Sequence, residues 1–370
     1  MLDELNIDLD PKQLGKELSI AQQQMVEVAK AFSFDSKVII MDEPTTSLTL
    51  SEIDKLFDMI NKIRAKGVSV IYISHHLEEI GRIGDRVTVM RDGKTIRTLN
   101  VSETDIDELI RLMVGREIKE QYPKHKFNIG KEVLRLEHVE NTRVKDVSFT
   151  LHKGEILGIA GLMGSGRTEI ARAIFGADPH RGSIFVDAEP VDIKQPKDAI
   201  NRGIAFVTED RKETGLILKM GVKDNITIGQ LDKFTKGSML QIKKENATAE
   251  NYVAKLSIRT PSIAQKTLFL SGGNQQKVVI AKWLISQSKI FIFDEPTRGI
   301  DVGARYAIYT LMHELVAEGA AIVMISSDLP EILGMSSRIL IIHEGRIAGE
   351  LDAADATQEK VMYYATGGGK

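Results

Sequence analysis

Ile156-Leu157-Gly158-Ile159-Ala160-Gly161-Leu162-Met163-Gly164-Ser165-Gly166-Arg167-Thr168 is the stretch that decides the fold class. Ile156–Ala160 is short, apolar and rich in β-branched residues, which reads as a buried strand. Gly161–Gly166 is a Gly-rich turn, and Thr168–Phe175 reads as the helix that follows. Strand, loop and helix in this order suit phosphate binding, because the glycines let backbone N–H groups turn toward phosphate oxygens and the helix N-terminus adds positive potential. Gly161, Gly164, Ser165 and Gly166 are the candidate cradle. Thr168 stands where a hydroxyl would ligate Mg²⁺. Arg167 stands where such loops carry Lys. Its fork can grip phosphate, but not as a compact point charge. Taken alone, the turn could also be a Gly-rich turn without a ligand, the less favoured reading.

Further motifs lie downstream. Asp294-Glu295 follows the apolar run Ile290–Phe293. An Asp at such a strand end can hold Mg²⁺ and the adjacent Glu can polarise water. Leu270-Ser271-Gly272-Gly273 opens a helix, and a hydroxyl with two glycines at a helix start is a second phosphate grip. The runs Val38–Met41, Val68–Ile73, Glu155–Ala160, Gly203–Val207 and Ala321–Ile325 also read as buried strands of a partly parallel sheet. Between them Ser51–Lys66 and Gly303–Glu318 read as helices, closed by Gly67 and Gly319. Strand–helix alternation predicts an α/β fold with ligands at strand C-termini.

The chain also repeats itself. Leu18-Ser19-Ile20-Ala21 matches Leu270-Ser271-Gly272-Gly273, Asp42-Glu43-Pro44-Thr45 matches Asp294-Glu295-Pro296-Thr297, and Ile73-Ser74-His75 matches Ile325-Ser326-Ser327. Leu18 to Leu270, Asp42 to Asp294 and Ile73 to Ile325 are each 252 positions apart. Two copies of one domain are expected: residues 1–115, a linker at 116–130, a second copy at 131–366 and a floppy tail at 367–370. On that offset the first copy's phosphate loop falls before Met1, so the first copy is expected to be incomplete, short of about 120 residues at its start. The chain then reads as a fragment or late-start product, with a short protein whose first domain eroded as the alternative. Asp42, Glu43 and His75 repeat the metal, base and γ-phosphate roles; Ser327, the counterpart of His75, cannot perform imidazole chemistry.

Composition is that of an ordinary globular protein: 370 residues, 42% apolar, 27% charged, with 49 Lys and Arg against 52 Asp and Glu. The near-neutral balance gives no support for nucleic-acid binding by net charge. No cysteine is present, which excludes disulfides, Cys-ligated zinc and a thiol nucleophile. The longest relevant apolar run, Ala320–Ile325, is too short to span a bilayer.

GLMGSGRTE, VTEDRKETGL, LSGGNQQKV, FDEPTRGIDVGA and ISSDLPEILGMSSRI, with LSIAQQQM, MDEPTTSL and YISHHLEEI in the first copy, resemble the ABC-type ATPases over essentially the whole chain. The nearest group is the duplicated ATPase subunit of bacterial sugar importers. The wording is closest to ribose-type members, with galactoside and xylose relatives leaving the sugar open. The resemblance implies a P-loop NTPase cassette fold in two tandem copies, ATP and Mg²⁺ as ligands, and a place at the cytoplasmic face of the inner membrane. It implies transmembrane permease subunits as partners and, indirectly, a sugar-binding protein. It also implies two head-to-tail ATP sites of unequal quality. One joins Leu270, Ser271, Gly272 and Gly273 to the first cassette's own loop, Glu43 and His75. The other joins Gly161–Thr168, Glu209, Asp294 and Glu295 to Ser19. The second departs from the family pattern at Arg167, at Glu209 in place of the Q-loop Gln, at Ser327, and at Ile20-Ala21. Arg143 replaces the aromatic that stacks adenine in many cassettes, and Thr49 stands where the second D-loop has Asp301. The family's permease-facing surface corresponds to Arg211–Leu218. This chain alone is expected to bind ATP weakly, turn over little and self-associate. Two other readings remain at this point: a soluble double-cassette ATPase acting on ribosomes, which the short linker disfavours, and a non-catalytic nucleotide-binding regulator.

Overall fold

The computed structural model describes residues 9–34, 36–45, 48, 50–74, 77–91, 93–114, 122–123 and 127–368. The chain divides into two compact units, Met1–Lys119 and Glu120–Lys370.

In the first unit, α1 (Ile20–Ser33), β1 (Val38–Asp42), α2 (Leu50–Ala65) and β2 (Ser69–Ile73) come first. They are followed by α3 (Leu77–Ile83), the hairpin β3 (Arg86–Arg91) and β4 (Lys94–Asn100), and α4 (Ile106–Val114). β1 and β2 pair in parallel, Val38 opposite Ser69 and Asp42 opposite Ile73. One face of this pair packs Ile39 and Met41 against Leu56, Ile60 and Ile63 of α2 and Met25 and Val28 of α1. The other face is open: Val38 is 51% exposed and Ile40 66%.

The second unit carries β5 (Glu132–Glu140), β6 (Val147–His152), β7 (Ile156–Gly161), α5 (Arg167–Ile174), β8 (Arg181–Val186), β9 (Glu189–Val191), α6 (Pro196–Asn201) and β10 (Ile204–Val207). It continues with α7 (Val222–Thr227), α8 (Ile242–Lys255), α9 (Gly272–Leu284), β11 (Ile290–Asp294), α10 (Val302–Ala317) and β12 (Ala321–Ile325). It ends with α11 (Leu329–Met335), β13 (Arg338–His343), β14 (Arg346–Asp352) and α12 (Gln358–Ala365). The main sheet has the order β10-β11-β12-β7-β13-β14, parallel except for β14 at its edge. Both faces are covered, as a parallel sheet requires. On one side Phe291, Phe293, Ile322 and Met324 meet Val278 and Ile280 of α9 and Ile308 and Met312 of α10. On the other, Ile290, Ile292, Val323 and Ile325 meet Ile170 and Ile174 of α5 and a second, antiparallel sheet β6-β5-β8-β9.

The expected strands and helices are present within a residue or two. Gly67 and Gly319, at φ +84° and +93°, close α2 and α10 by donating to Arg64 O and Val316 O at 2.9 Å. The antiparallel sheet and helices α7 and α8 were not expected. The alternation of β5 is broken by register shifts, and His138 within it has φ +51°, which hides a strand from a period-two reading. Within the expected linker, the Tyr122 ring meets Tyr309 at 5.4 Å and Phe127 meets His313 at 5.9 Å, both tilted, so both pack on the second unit's core. The expected tail begins at the end of α12. Gly367 and Gly368 donate to Tyr364 O and Tyr363 O and close α12; Gly369 and Lys370 lie outside the described residues.

The 252-residue offset is visible in the strand pairing. Ile290 faces Ala321 and Asp294 faces Ile325 in β11–β12, the same register as β1–β2 shifted by 252. At the end of each pair a Glu takes a left-handed backbone: Glu43 at φ +46° and Glu295 at φ +48°. Each donates its N–H across the pair, Glu43 to Ile73 O at 2.8 Å and Glu295 to Ile325 O at 2.9 Å.

Candidate functional site

The Gly-rich loop sits between β7 and α5, where the sequence places it. Gly164 and Gly166 have φ of +78° and +107°. A Cβ on Gly161 would lie 2.4 Å from Ile342 O, so only glycine fits against β13. The loop is clamped from outside as well: Gly345 N–H donates to Ser165 O at 2.8 Å and Lys145 N–H to Gly345 O at 2.7 Å. Ser165 is buried and its Oγ has no hydrogen-bond partner.

Asp294 ends β11 beside this loop. It is fully buried, and neither carboxylate oxygen has a hydrogen-bond partner. Burial pushes its carboxyl up to about 7, and the charges of Glu295 and Glu209 add to the shift; the Thr168 hydroxyl lies near enough to oppose it but outside hydrogen-bond geometry. A buried carboxylate without partners is costly unless a cation or donor satisfies it. Among the described residues no group of three or more His, Asp or Glu could hold a metal alone. Asp294 and Thr168 therefore fit a Mg²⁺ that also takes oxygens from a bound phosphate.

Glu295 is brought to the same place. Burial raises its carboxyl, opposed by Ser327 and by Arg167. Ser327 Oγ donates to Glu295 Oε2 at 3.1 Å, and Arg167 Nη2 lies 3.8 Å from Oε1. The buried guanidinium of Arg167 donates from Nη1 to Ser326 O at 2.7 Å. This bond ties the start of α5 to the end of β12. Glu209 lies just past β10 and pairs with Arg298. Arg143 lies 3.8 Å from Glu169 on α5 and is largely exposed.

One residue that the sequence reading did not single out is Glu331. It is buried on α11 and accepts from Thr297 Oγ1 at 2.8 Å and from Ser326 Oγ. It thus braces the loops carrying Glu295 and Ser327. In the first unit Glu79, 252 positions earlier, accepts from Ser74 Oγ and Tyr72 OH, both at 2.8 Å. The repeat itself was the signal that could have found both.

The two serines at helix starts differ. Ser19 makes a full capping box on α1: its Oγ accepts from Gln22 N–H, and Gln22 Oε1 accepts from Ser19 N–H. Ser271, the N-cap of α9, makes no such bond; its Oγ accepts from Asn274 Nδ2 at 2.9 Å. Leu270, Gly272 and Gly273 lie with it at the start of α9. Asp42 ends β1 on the open side of the pair and Glu43 follows it, both exposed. His75 and Thr49 lie outside the described residues.

Comparison with known proteins follows the same lines. A sequence model of the ABC transporter family matches residues 144–298. The ribose import ATP-binding protein RbsA of Bacillus subtilis (strain 168) is 50% identical over 99% of this chain and 75% of its own length. A Burkholderia ambifaria protein, named provisionally for ribose, galactose and methyl galactoside import, is 52% identical over 98% of this chain and 71% of its own. A nucleotide-free ATP-binding cassette from an ABC transporter superposes with a TM-score of 0.54 at 22% identity, covering 64% of this chain and 96% of that one. That last likeness establishes the cassette fold.

Proposed function

The chain belongs to the ABC transporter ATPases, as an ATP-binding subunit of the sugar-import type, and on that premise we propose that it energises uptake of a monosaccharide, ribose favoured, through a membrane permease. Residues 131–366 form one cassette, and residues 1–115 are the later part of another. The shared offset, strand register and left-handed Glu43 and Glu295 support the duplication. The names of the similar import proteins support the sugar class.

In the second cassette the amides of Gly161–Gly166 bind the ATP phosphates, with Thr168 and Asp294 holding Mg²⁺. The ion would neutralise phosphate charge and fix the phosphate's orientation. Glu295 orients water, but Ser327 and Arg167 engage its carboxylate and blunt it as a base. The observation that carries this reading is Asp294, buried beside the phosphate loop with both oxygens unpartnered. Of the two catalytic sets, the stronger is the first cassette's Asp42, Glu43 and His75, because His75 stands where the second cassette has Ser327; Ser19 is already engaged as a helix cap. Ile217, Leu268 and Phe269 are exposed around the Leu218–Leu268 backbone bond, which supports Arg211–Leu218 as part of the permease-facing surface. Among the described residues no helix is long and apolar enough to cross a membrane, so placement at the cytoplasmic membrane face comes through the permease, with a sugar-binding protein as an indirect partner.

The test is Mg·ATP turnover by the purified chain. Turnover near background, insensitive to Glu295→Gln, is expected. Robust turnover abolished by Glu295→Gln contradicts the proposal.

A further inference from the structure

Between α7 and α8 the second unit carries a small hairpin to which no nucleotide-site residue belongs. Thr235–Lys236 pairs antiparallel with Met239–Leu240, Thr235 opposite Leu240 and Lys236 opposite Met239. Directly opposite residues of an antiparallel pair share a face, so Lys236 and Met239 lie side by side. The turn Gly237-Ser238 closes the hairpin, with Gly237 at φ +62°, and a Cβ there would meet nothing within 4 Å. The tip therefore projects into open space.

The base of the hairpin is fixed. Phe234 is buried in the core, and Gln241 N–H donates to Phe234 O at 2.7 Å. Lys233 Nζ donates to Ile285 O at 2.8 Å and Lys244 Nζ to Lys233 O at 2.7 Å. Lys236 and Lys243 are exposed and take no part in this anchoring. Leu231, Met239, Leu240 and Ile242 are exposed among them, Met239 at 73% and Ile242 at 58%. The chain as a whole is slightly acidic, with 49 Lys and Arg against 52 Asp and Glu, yet residues 231–244 hold four lysines and one aspartate. Exposed aliphatic side chains interspersed with lysines suit a membrane interface, where the apolar groups enter the acyl boundary and the ammonium groups meet anionic headgroups. The stretch has no arginine, and its one aromatic ring, Phe234, is buried. It thus lacks the fork that suits a planar carboxylate partner and the exposed ring that stacks on bases.

We propose that the hairpin tip and the start of α8 form a docking surface for the anionic headgroup layer of a lipid bilayer. Lys236 and Lys243 are drawn to the headgroup phosphates, and Met239 and Ile242, the most exposed apolar residues of the patch, enter the acyl boundary. So small a surface binds only marginally by itself, so it orients the chain on a membrane without anchoring it there. The inference depends on neither the nucleotide site nor a permease.

Flotation of the purified full chain with protein-free vesicles tests it. Vesicles of phosphatidylcholine with about 30% phosphatidylglycerol should bind the chain at least about tenfold better than phosphatidylcholine alone, and about 0.5 M salt should remove that preference. Lys236→Glu combined with Lys243→Glu should cut binding to the anionic vesicles at least about tenfold, with the melting temperature and Mg·ATP affinity unchanged. The chain has no cysteine, so Met239→Cys gives a single attachment point for an environment-sensitive fluorophore. Its emission should shift to the blue on anionic vesicles. No binding to anionic vesicles overturns the proposal. So does binding that the double charge reversal leaves intact, which would place the contact elsewhere on the chain, and so does binding with an unshifted fluorophore. Failure of the chain to bind Mg·ATP would count against the nucleotide site alone and leave the vesicle result standing.

Discussion

Glu331 holds a proton longer than an ordinary glutamate. Burial pushes its carboxyl up to about 7, although Ser326 and Thr297 donate to it and oppose the shift. An unfolded glutamate titrates near 4.3, so between that value and about 7 the folded state binds more protons than the unfolded one. The resulting stability is fully present below the unfolded value and is lost as pH rises through 7. Glu331→Gln should therefore flatten the fall in stability between pH 5 and 8, read by denaturant melts at each pH; an unchanged slope would show that Glu331 is ionised in the fold. Arg167 makes a second case. Arg167→Lys frees the Ser326 carbonyl and restores a point charge under the phosphate loop. It should bind ATP several-fold more tightly while losing about 1 kcal/mol of stability, the usual worth of one hydrogen bond. Equal or weaker ATP binding by that variant would show that the guanidinium turns outward to grip phosphate itself. Such side-chain directions were not legible in the sequence: Arg167 was recognisable as a departure, but its bond to Ser326 depends on contacts 159 positions apart.

At the scale of elements, β1–β2 and β11–β12 share one pairing register and differ in what covers them. Ile292 is fully buried under α5, whereas its counterpart Ile40 is exposed. Ile292→Lys should cost more than about 3 kcal/mol, as burial of an unpaired charge does. Ile40→Lys should change stability by no more than about 0.5 kcal/mol. It should also reduce self-association of the chain, measured by sedimentation, because Val38, Ile40, Ile71 and Ile73 form an apolar exposed face. A large loss of stability in Ile40→Lys would mean that this face is covered. Four strands of the main sheet, β7, β10, β11 and β12, were readable because both faces are apolar and each run is bounded by glycine or charge; β13 and β14 were not singled out. The antiparallel sheet was not, since bulges interrupt its alternation. Nor was the contrast between Ser19 and Ser271. Gln22 reaches back to close a capping box, whereas Asn274 Oδ1 accepts from Arg259 N–H and its Nδ2 donates to the serine hydroxyl.

For the whole molecule, the repeat carried most of what the sequence could say. The constant spacing placed Asp42 with Asp294 and Glu43 with Glu295, and the strand pairing keeps that correspondence residue by residue. The spacing also pairs Glu331 with Glu79, but it could not say that Arg211 joins the Arg298 and Gly299 carbonyls to Gln275, because those bonds cross between motifs. The central claim is that one complete nucleotide site lies at Gly161–Thr168 and Asp294. Calorimetric titration of the full chain with Mg·ATP tests it most directly. The account predicts one molecule bound per chain, with affinity falling at least about tenfold, or about 1.4 kcal/mol, in both Thr168→Val and Asp294→Asn while the melting temperature stays within a few degrees. Binding that is indifferent to both substitutions would contradict it.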